Sequence, residues 1–267
     1  MSQPISISVV TPSYNQGPYI DKALKSIVEQ SYPYLEHIVV DAQSTDDTLE
    51  ILRAQNNPKL VWTSEPDEGQ SDGLNKGFQR AKGDYILWLN ADDFLWPDTL
   101  AAYAKAIEQK PSIDYIYGHT QFVDENDVYL RTVYEIPYNY AYSKHRLYIP
   151  PTSGSLFRRT LLVEQPLDKD IHFIMDAEWF LRCGKSLTIH RLNAVSNSFR
   201  VTDTNKTGPS IKSGQADERM VAEWRKLQER YDVDRSKSLP NLTARANYYL
   251  QKLRFGVGFM QDYLRNS

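Results

Sequence analysis

The chain has one cysteine, Cys183, so no intramolecular disulfide can form, which fits a reducing compartment. It lacks an excess of either charge. With 31 Lys and Arg against 34 Asp and Glu, the formal net charge of −3 excludes a binder driven by phosphate neutralisation, and no nucleic-acid partner is expected. No run approaches the roughly 18–20 apolar residues needed to span a bilayer. The opening "MSQPISISVVTPSY" has no basic n-region and reads as a first strand, so a cytoplasmic location is expected. Neither G-x-G-x-x-G nor G-x-x-x-x-G-K-[ST] follows any strand, so the sheet holds a nucleotide by another means or holds none. G-x-S-x-G is also missing. His37, His119, His145, His172 and His190 show no metal-ligand spacing.

What is present is a soluble α/β pattern. Apolar residues make up 41% and charged residues 24% of 267 positions, which suits one large domain or one with an appendage. "ISISVVT" (5–11), "LEHIVVD" (35–41), "KLVWTS" (59–64) and "DYILWLN" (84–90) are strand-like runs, each followed by a helical pattern. The first helix is expected to bury Ile20, Leu24, Ile27 and Val28. The second is expected to start near Thr45 with Ser44 as N-cap. "GQSDGLNKGFQRAKG" (69–83) reads as a helix with its glycines spaced for turns, and "PDTLAAYAKAIEQ" (97–109) as a helix opened by Pro97. That βαβα order predicts a parallel, doubly wound sheet with its site at the carboxyl ends of the strands. Beyond Ile113 the pairing turns mixed, with a hairpin turn near Glu125-Asn126-Asp127 and further strands at "LTIHRL" and "VSNSFRV". Residues 202–214 read as a mobile loop, and the chain is helical from Gln215. The 18 tyrosines, many within 103–148, suit either a ligand groove or half-buried core positions.

"WLNADDFLW" (88–96) sets two adjacent carboxylates, Asp92 and Asp93, at the end of the most hydrophobic strand. Hard divalent cations take oxygen ligands, often one or two carboxylates plus substrate phosphates, and this strand end offers such an incomplete shell. A helix N-cap pair is the structural alternative. Tyr14, Asn15 and Asp41 end two other strands on the same edge. Asp41 either accepts hydrogen bonds from a base or ribose or caps the next helix. Asp176 and Glu178 lie two apart on a helix and so face different directions. One could act as a base while the other braces a neighbour, or both could be solvated.

"ISVVTPSYNQGPYIDKALKSIVEQSYP", "IVVDAQSTDDTLEIL", "SEPDEGQSDGLNKGFQRAKGDYILWLNADD" and "MDAEWFLR" together resemble the family 2 inverting glycosyltransferases of the GT-A fold, over about residues 5–205 and nearest to the bacterial surface-polysaccharide branch. The resemblance implies a Rossmann-like mixed sheet flanked by helices, with a nucleotide-sugar half at about 1–112, an acceptor half at about 113–210, and a C-terminal helical extension at 211–267. It implies that Pro12, Tyr14 and Asn15 line the nucleotide pocket, that Asp41 contacts base or ribose, and that Asp67 and Asp72 belong to the segment closing over the nucleotide. Asn90-Ala91-Asp92 stands at the family's D-x-D, making Asp92 the ligand of a Mn²⁺ or Mg²⁺ ion that bridges to the diphosphate, with Asn90 and Asp93 on the nucleotide-sugar and Asp93 supporting Asp92 or contacting the sugar. Asp176 aligns with the acceptor base, followed by Glu178, Trp179 and Arg182 as acceptor or supporting residues. Asn90 replaces the first Asp of the motif. Thr202 stands where relatives often carry the His of "FRxH", leaving Asp203, Asn205 or Lys206 to take its place.

The implied partners are a nucleotide-sugar donor, UDP-sugar by default, and a glycan or lipid-linked acceptor. A metal-dependent nucleotidyltransferase is disfavoured because "TPSYNQGPY" carries no basic residue. A non-catalytic nucleotide- or glycan-binding module is disfavoured by the intact Asp92, Asp93 and Asp176. At the C-terminus, Ala246, Tyr249, Leu250, Leu253, Val257, Met260 and Leu264 share one helical face. It would suit the catalytic domain, a second subunit, or the inner face of the plasma membrane.

Overall fold

The computed structural model describes residues 4–146 and 148–233. The amphipathic stretch expected at 246–264 lies outside them. No helix among the described residues is long and apolar enough to cross a membrane.

Four parallel strands form one half of the sheet: β1 (Ile7–Ser13), β2 (Glu36–Asp41), β3 (Leu60–Ser64) and β4 (Tyr85–Trp88). Every residue of β2 and β4 is buried, as in strands covered on both faces, including the polar Glu36, His37 and Asp41 of β2. The second half adds β5 (Phe94–Leu95), β6 (Tyr115–Val123), β7 (Tyr129–Val133), β8 (Ser155–Arg158) and β9 (Ile189–Arg200). The order is β3-β2-β1-β4-β8-β6-β9-β5, with β7 hairpinned onto β6. β8 runs antiparallel to both β4 and β6, and β9 runs parallel to β6. The carboxyl ends of β1, β2, β4, β6 and β9 therefore share one edge with the amino end of β8. The doubly wound expectation holds for the first four strands. The two strands expected at 187–192 and 195–201 are one continuous strand, β9.

Helix α1 (Ile20–Val28) buries Ile20, Ala23, Leu24 and Ile27, whereas Val28 is exposed. Helix α2 (Thr48–Ala54) begins later than expected and Asp47 occupies its N-cap, because Ser44 is committed to Asp41. Helix α3 (Gln70–Arg80) contains Gly73 and Gly77 rather than being flanked by all its glycines. A Cβ on Gly77 would lie 2.4 Å from Val10 Cγ1, so this glycine lets the helix settle directly on β1. Helix α4 (Thr99–Gln109) starts two residues after Pro97, with Asp98 at φ 60° in its N-cap. Short helices α5 (Tyr140–Arg146) and α6 (Arg159–Glu164) precede α7 (Met175–Cys183), and α8 (Gly208–Ser213) lies within the segment expected to be a loop. Helix α9 (Glu218–Arg230) follows.

Successive residues of each strand feed opposite layers. Val9, Leu87, Ile116 and Leu156 pack beneath α1 and α4. Val10, Trp88, Tyr115 and Phe157 meet α3, α7 and α9, where Trp179, Phe180 and Leu227 are also buried. An aromatic run joins these elements, from Trp88 through Phe157 to Tyr115, with Trp179 and Phe180 edge-on. Tyr103, Tyr115, Tyr117 and Tyr142 are core residues, and the first three donate their hydroxyls to backbone carbonyls.

Glu135 is buried, accepts the Tyr148 hydroxyl at 2.7 Å, and is pushed by burial from 4.5 up to about 7. The folded state thus holds this proton more tightly than the unfolded chain does. The stability it contributes is complete below the unfolded value of 4.5 and is lost as pH rises through about 7. Between about pH 4 and pH 8 the wild type should lose about 3 kcal/mol relative to Glu135→Gln, measured by urea denaturation at each pH. Parallel stability curves for the two proteins would rule this out.

Candidate functional site

Each strand end on the shared edge turns sharply and leaves a polar group there. After β1, Asn15 adopts φ 51° and ties two loops together: its N–H donates to Ser44 Oγ at 2.8 Å, and its Oδ1 accepts from Thr45 N at 2.9 Å. Tyr14 is exposed, Pro12 is half-buried, and the buried Ser13 hydroxyl has no hydrogen-bond partner. Asp41, paired in register with Ser13, is fully buried and accepts from Ser44 N (2.9 Å), Ser44 Oγ (2.5 Å) and Ser64 Oγ (2.7 Å). Direct contact with a base or ribose therefore requires one of these hydroxyls to turn away.

The segment before α3 is braced. Asp67 Oδ1 accepts Gly69 N–H at 2.9 Å, and its carboxyl is raised by burial. Asp72 pairs with Lys76 at 3.0 Å and Lys169 at 3.5 Å. These bonds place Asp72 in the scaffold that joins α3 to the loop before α7. In that scaffold the Ser71 hydroxyl donates to the Ile171 carbonyl at 3.2 Å.

Asn90 is a junction. Its Oδ1 accepts from Trp88 Nε1 at 2.9 Å and Gln70 Nε2 at 3.1 Å, its Nδ2 donates to Asp93 Oδ2 at 3.4 Å, and its N–H donates to Ser153 Oγ at 3.1 Å. An aspartate at 90 could not donate to Asp93, and it would add a third carboxylate. The departure from D-x-D thus has a local reason. Asp93 is 1% exposed and its Oδ1 accepts Arg200 N–H at 3.0 Å. Burial, then the neighbouring Asp92 charge, holds the Asp93 carboxyl well above the ordinary range. Asp92 is half-buried and raised by burial, with Asn205 and Arg200 acting against that shift.

Two residues not singled out by sequence organise this strand end. Arg200, buried at the end of β9, donates from Nε to Asp92 O at 2.9 Å and pairs with Asp127 at 2.5 Å. Its guanidinium also lies over the Tyr19 and Phe94 rings. Ser153, at the start of β8, had no motif to mark it. The loop expected to be mobile is stapled here. Thr202 Oγ1 accepts from Thr204 N and Asn205 N, Asn205 Nδ2 donates to Arg200 O at 2.5 Å, and Asn205 Oδ1 accepts Gly208 N–H at 2.7 Å. Thr202 is buried and spent on this turn, so it does not replace the missing histidine as an open ligand.

The same loop reaches the second carboxylate. Lys206 Nζ donates to His172 O at 2.7 Å. Much of Lys206 is exposed, but its ammonium end is packed in, which lowers its pKa against the pull of Glu223, Asp67 and Asp176. Asp176, in the first turn of α7, is half-buried, raised by burial, and accepts Ala177 N–H at 2.7 Å. The companions named with it serve structure. Glu178 is fully buried and takes Arg182 Nε at 2.9 Å and the Tyr231 hydroxyl at 2.5 Å. Trp179 lies in the core with its indole N–H on Gln165 O, and Arg182 also bonds Gln165 and Pro166.

Residues 12–15, 41 and 90–93 thus share one edge with Asn205, while Lys206, next along the loop, is held on the His172 carbonyl. No cluster of three or more His, Cys, Asp or Glu among the described residues could enclose a metal. The donor set still fits a hard divalent ion held jointly with a ligand. Asp92 supplies one half-buried carboxylate that forms no ion pair among the described residues, and phosphate oxygens would complete such a shell.

Residues 8–164 match the family described as Glycosyl transferase family 2. An uncharacterized Haemophilus influenzae glycosyltransferase is 30% identical over 70% of this chain and 74% of its own length. One from Mycobacterium tuberculosis is 34% identical, but over only 44% of this chain and 46% of its own length. The chain therefore spans about half the length of that relative. Among solved structures, S. aureus TarS 1-349 in complex with UDP-GlcNAc superposes with TM-score 0.63 at 21% identity, covering 87% of this chain and 69% of that 1–349 fragment. The mannosyltransferase PcManGT of Pyrobaculum calidifontis, in complex with GDP-Man and Mn²⁺, gives 0.59 at 23% identity, covering 82% and 64%. At those identities the structures speak for the fold, and the family match and the Haemophilus relative speak for descent: the chain belongs to glycosyl transferase family 2 and has the GT-A fold.

Proposed function

We propose that this chain transfers a sugar, with inversion, from a nucleotide-diphosphate donor to a hydroxyl of a glycan or lipid-linked acceptor. The observation that carries the reading is the convergence of strand ends on one edge, where Asn15 and Asp41 stand with the Asn90, Asp92 and Asp93 cluster, together with a second half-buried carboxyl, Asp176, in the first turn of α7. Asp92 would hold Mn²⁺ or Mg²⁺ together with the donor diphosphate. When bound, the ion supplies Lewis-acid neutralisation of the departing phosphate charge. Pro12, Tyr14 and Asn15 would line the nucleotide, with Asp41 reaching it once a serine hydroxyl rotates. Asp67 would border the donor from the segment before α3, Asp72 bracing it. Asn90 and Asp93, bonded to each other, would contact the donor beside Asp92. Asp176 would take the proton of the acceptor hydroxyl as it attacks, and burial suits it to that by making it a stronger base than an exposed carboxylate. Glu178, Trp179 and Arg182 keep α7 fixed beneath it.

UDP is the default nucleotide, and a role in bacterial surface-polysaccharide assembly at the cytoplasmic side of the membrane fits the resemblance. The test is a thermal-shift comparison of UDP, GDP, CDP and dTDP, each with and without Mn²⁺, on wild type and Asp92→Ala. One diphosphate should stabilise the wild type in a metal-dependent way, by about 2.7 kcal/mol at a hundredfold excess over Kd, and Asp92→Ala should lose the effect. A folded wild type that responds to none of the four would overturn the reading.

A further inference from the structure

Helix α7 carries Asp176 yet brings no cap of its own. Its N-cap residue is Ile174, whose side chain makes no capping hydrogen bond, although the first amides of any helix need acceptors. For the amides that lead into the helix, those of residues 172–174, the acceptors come from α9. Glu223 Oε1 takes His172 N–H at 2.8 Å, and Oε2 takes Phe173 N–H at 2.9 Å and Ile174 N–H at 3.2 Å. The Glu223 carboxylate is buried. Helix α9 is anchored further along by buried Leu227, by Arg230 on Asp168 at 2.8 Å and by the Tyr231 hydroxyl on Glu178. From the other side, Lys206 holds the carbonyl of His172. The peptide segment 172–174 is therefore gripped on its amides by one helix and on a carbonyl by the site loop. Asp176 follows two residues later, and its carboxylate is oriented by its bond to the Ala177 amide within the first turn of α7.

We propose that Glu223 is a positioning residue for Asp176: by holding the 172–174 amides it sets where α7 begins, and so where the carboxylate that receives the acceptor proton stands. This rests on the glycosyl-transfer reading given above. It makes α9, which lies beyond the region matched by the family, part of the catalytic apparatus. A displacement of about 1 Å at a reacting group can cost about a hundredfold in rate, so a loosened helix start would be felt in turnover without any change in donor contacts.

The experiment uses the full chain as wild type, Glu223→Gln, Glu223→Ala, and Tyr85→Phe, which removes a buried hydroxyl bond to the Ile113 carbonyl at the amino end of β4, away from α7, α9 and the shared edge. Amide hydrogen exchange over 172–177 is measured beside transfer kinetics. Exchange at 172–174 should rise about tenfold in Glu223→Ala and less in Glu223→Gln, which keeps one acceptor oxygen. Turnover should fall in the same order, by about tenfold or more in Glu223→Ala, with donor KM within about twofold throughout. Tyr85→Phe should lose melting temperature but keep its turnover. Glu223's role is refuted if either folded Glu223 variant keeps wild-type turnover, or if Tyr85→Phe loses turnover to the same extent, since general loosening would then explain both. Should Glu223→Ala fail to fold, Glu223→Gln against Tyr85→Phe carries the same comparison. An inactive Asp176→Asn beside a fully active Glu223→Gln removes the positioning role alone, whereas a fully active Asp176→Asn removes the base assignment beneath it.

Discussion

Asp176→Asn should lower the rate of sugar transfer by about 10²–10⁴, the usual worth of a positioned general base. The substitution is nearly isosteric, and its amide oxygen can still accept the Ala177 N–H that orients the side chain at 2.7 Å. What disappears is the ability to take a proton. Donor binding should survive, because Asp176 lies on α7 while the proposed nucleotide side of the site is at the ends of β1, β2 and β4. Initial rates of nucleotide-diphosphate release with acceptor present should collapse, while the diphosphate-induced thermal shift stays within error. In the wild type, the rate should decline as pH falls through the carboxyl's raised value, since the base must be ionised to act. The acid limb should be absent from whatever activity the Asn variant retains. An Asn variant within about tenfold of wild type would assign the proton to another group.

Arg200→Met should cost about 3 kcal/mol of folding stability and also weaken the metal-dependent nucleotide response. The guanidinium is 3% exposed and donates in three directions: to Asp92 O, to the Asp127 carboxylate, and to the carbonyls of Asp124 and Glu125. Methionine fills much of the volume but takes the guanidinium donors from the part-buried Asp92, Asp124 and Glu125 carbonyls, of which Asp124 O keeps only the Asp127 N–H. Asp127 itself suffers less, being 36% exposed and also paired with Lys22, so the loss resides mainly in the backbone acceptors. Arg200→Lys should recover only part of the stability, because an ammonium cannot serve a planar fork of acceptors. Urea midpoints at constant m-value give the stability term. The Asp92 carbonyl, released from Nε, should let the strand end drift, which the Mn²⁺-dependent thermal shift detects. A loss below about 1 kcal/mol together with an unchanged nucleotide response would show that the β4 end holds its shape unaided.

The first four strands and their acidic ends were legible because each is a continuous apolar run ended by a polar residue. Position along the chain alone then assigns Asp41 and Asp92 to one edge. Ser44, Pro97 and Val28 were misplaced for local reasons. Ser44 had a stronger acceptor in Asp41 than the amides of α2, Asp98 entered the left-handed region after Pro97, and the apolar stripe of α1 is narrower than its composition suggests. Composition also failed at 202–214, where Thr, Asn and Gly usually signal mobility. Here they supply the donors and acceptors of a tight turn around Thr202. Ser153 and Glu223 left no trace in periodicity, since each acts through a bond spanning 49 residues or more. The long tertiary hydrogen bond is the kind of fact a linear pattern does not encode.

The placement of β8 governs how the chain can assemble. Residues 7–88 contain every strand of the β3-β2-β1-β4 block, so that block can zip up while later residues are still being synthesised. Its β4 border, and the facing border of β6, then stay open until Ser155–Arg158 slides between them like a keystone. Until that insertion, two apolar strands present unpaired backbone to any other chain. Ser153 sits at the tip of the keystone and holds the Asn90 amide, so the acidic strand end receives this support only when the two halves lock. Nascent chains stalled before residue 155 would thus be the species most prone to stick to one another, and the least able to bind a donor.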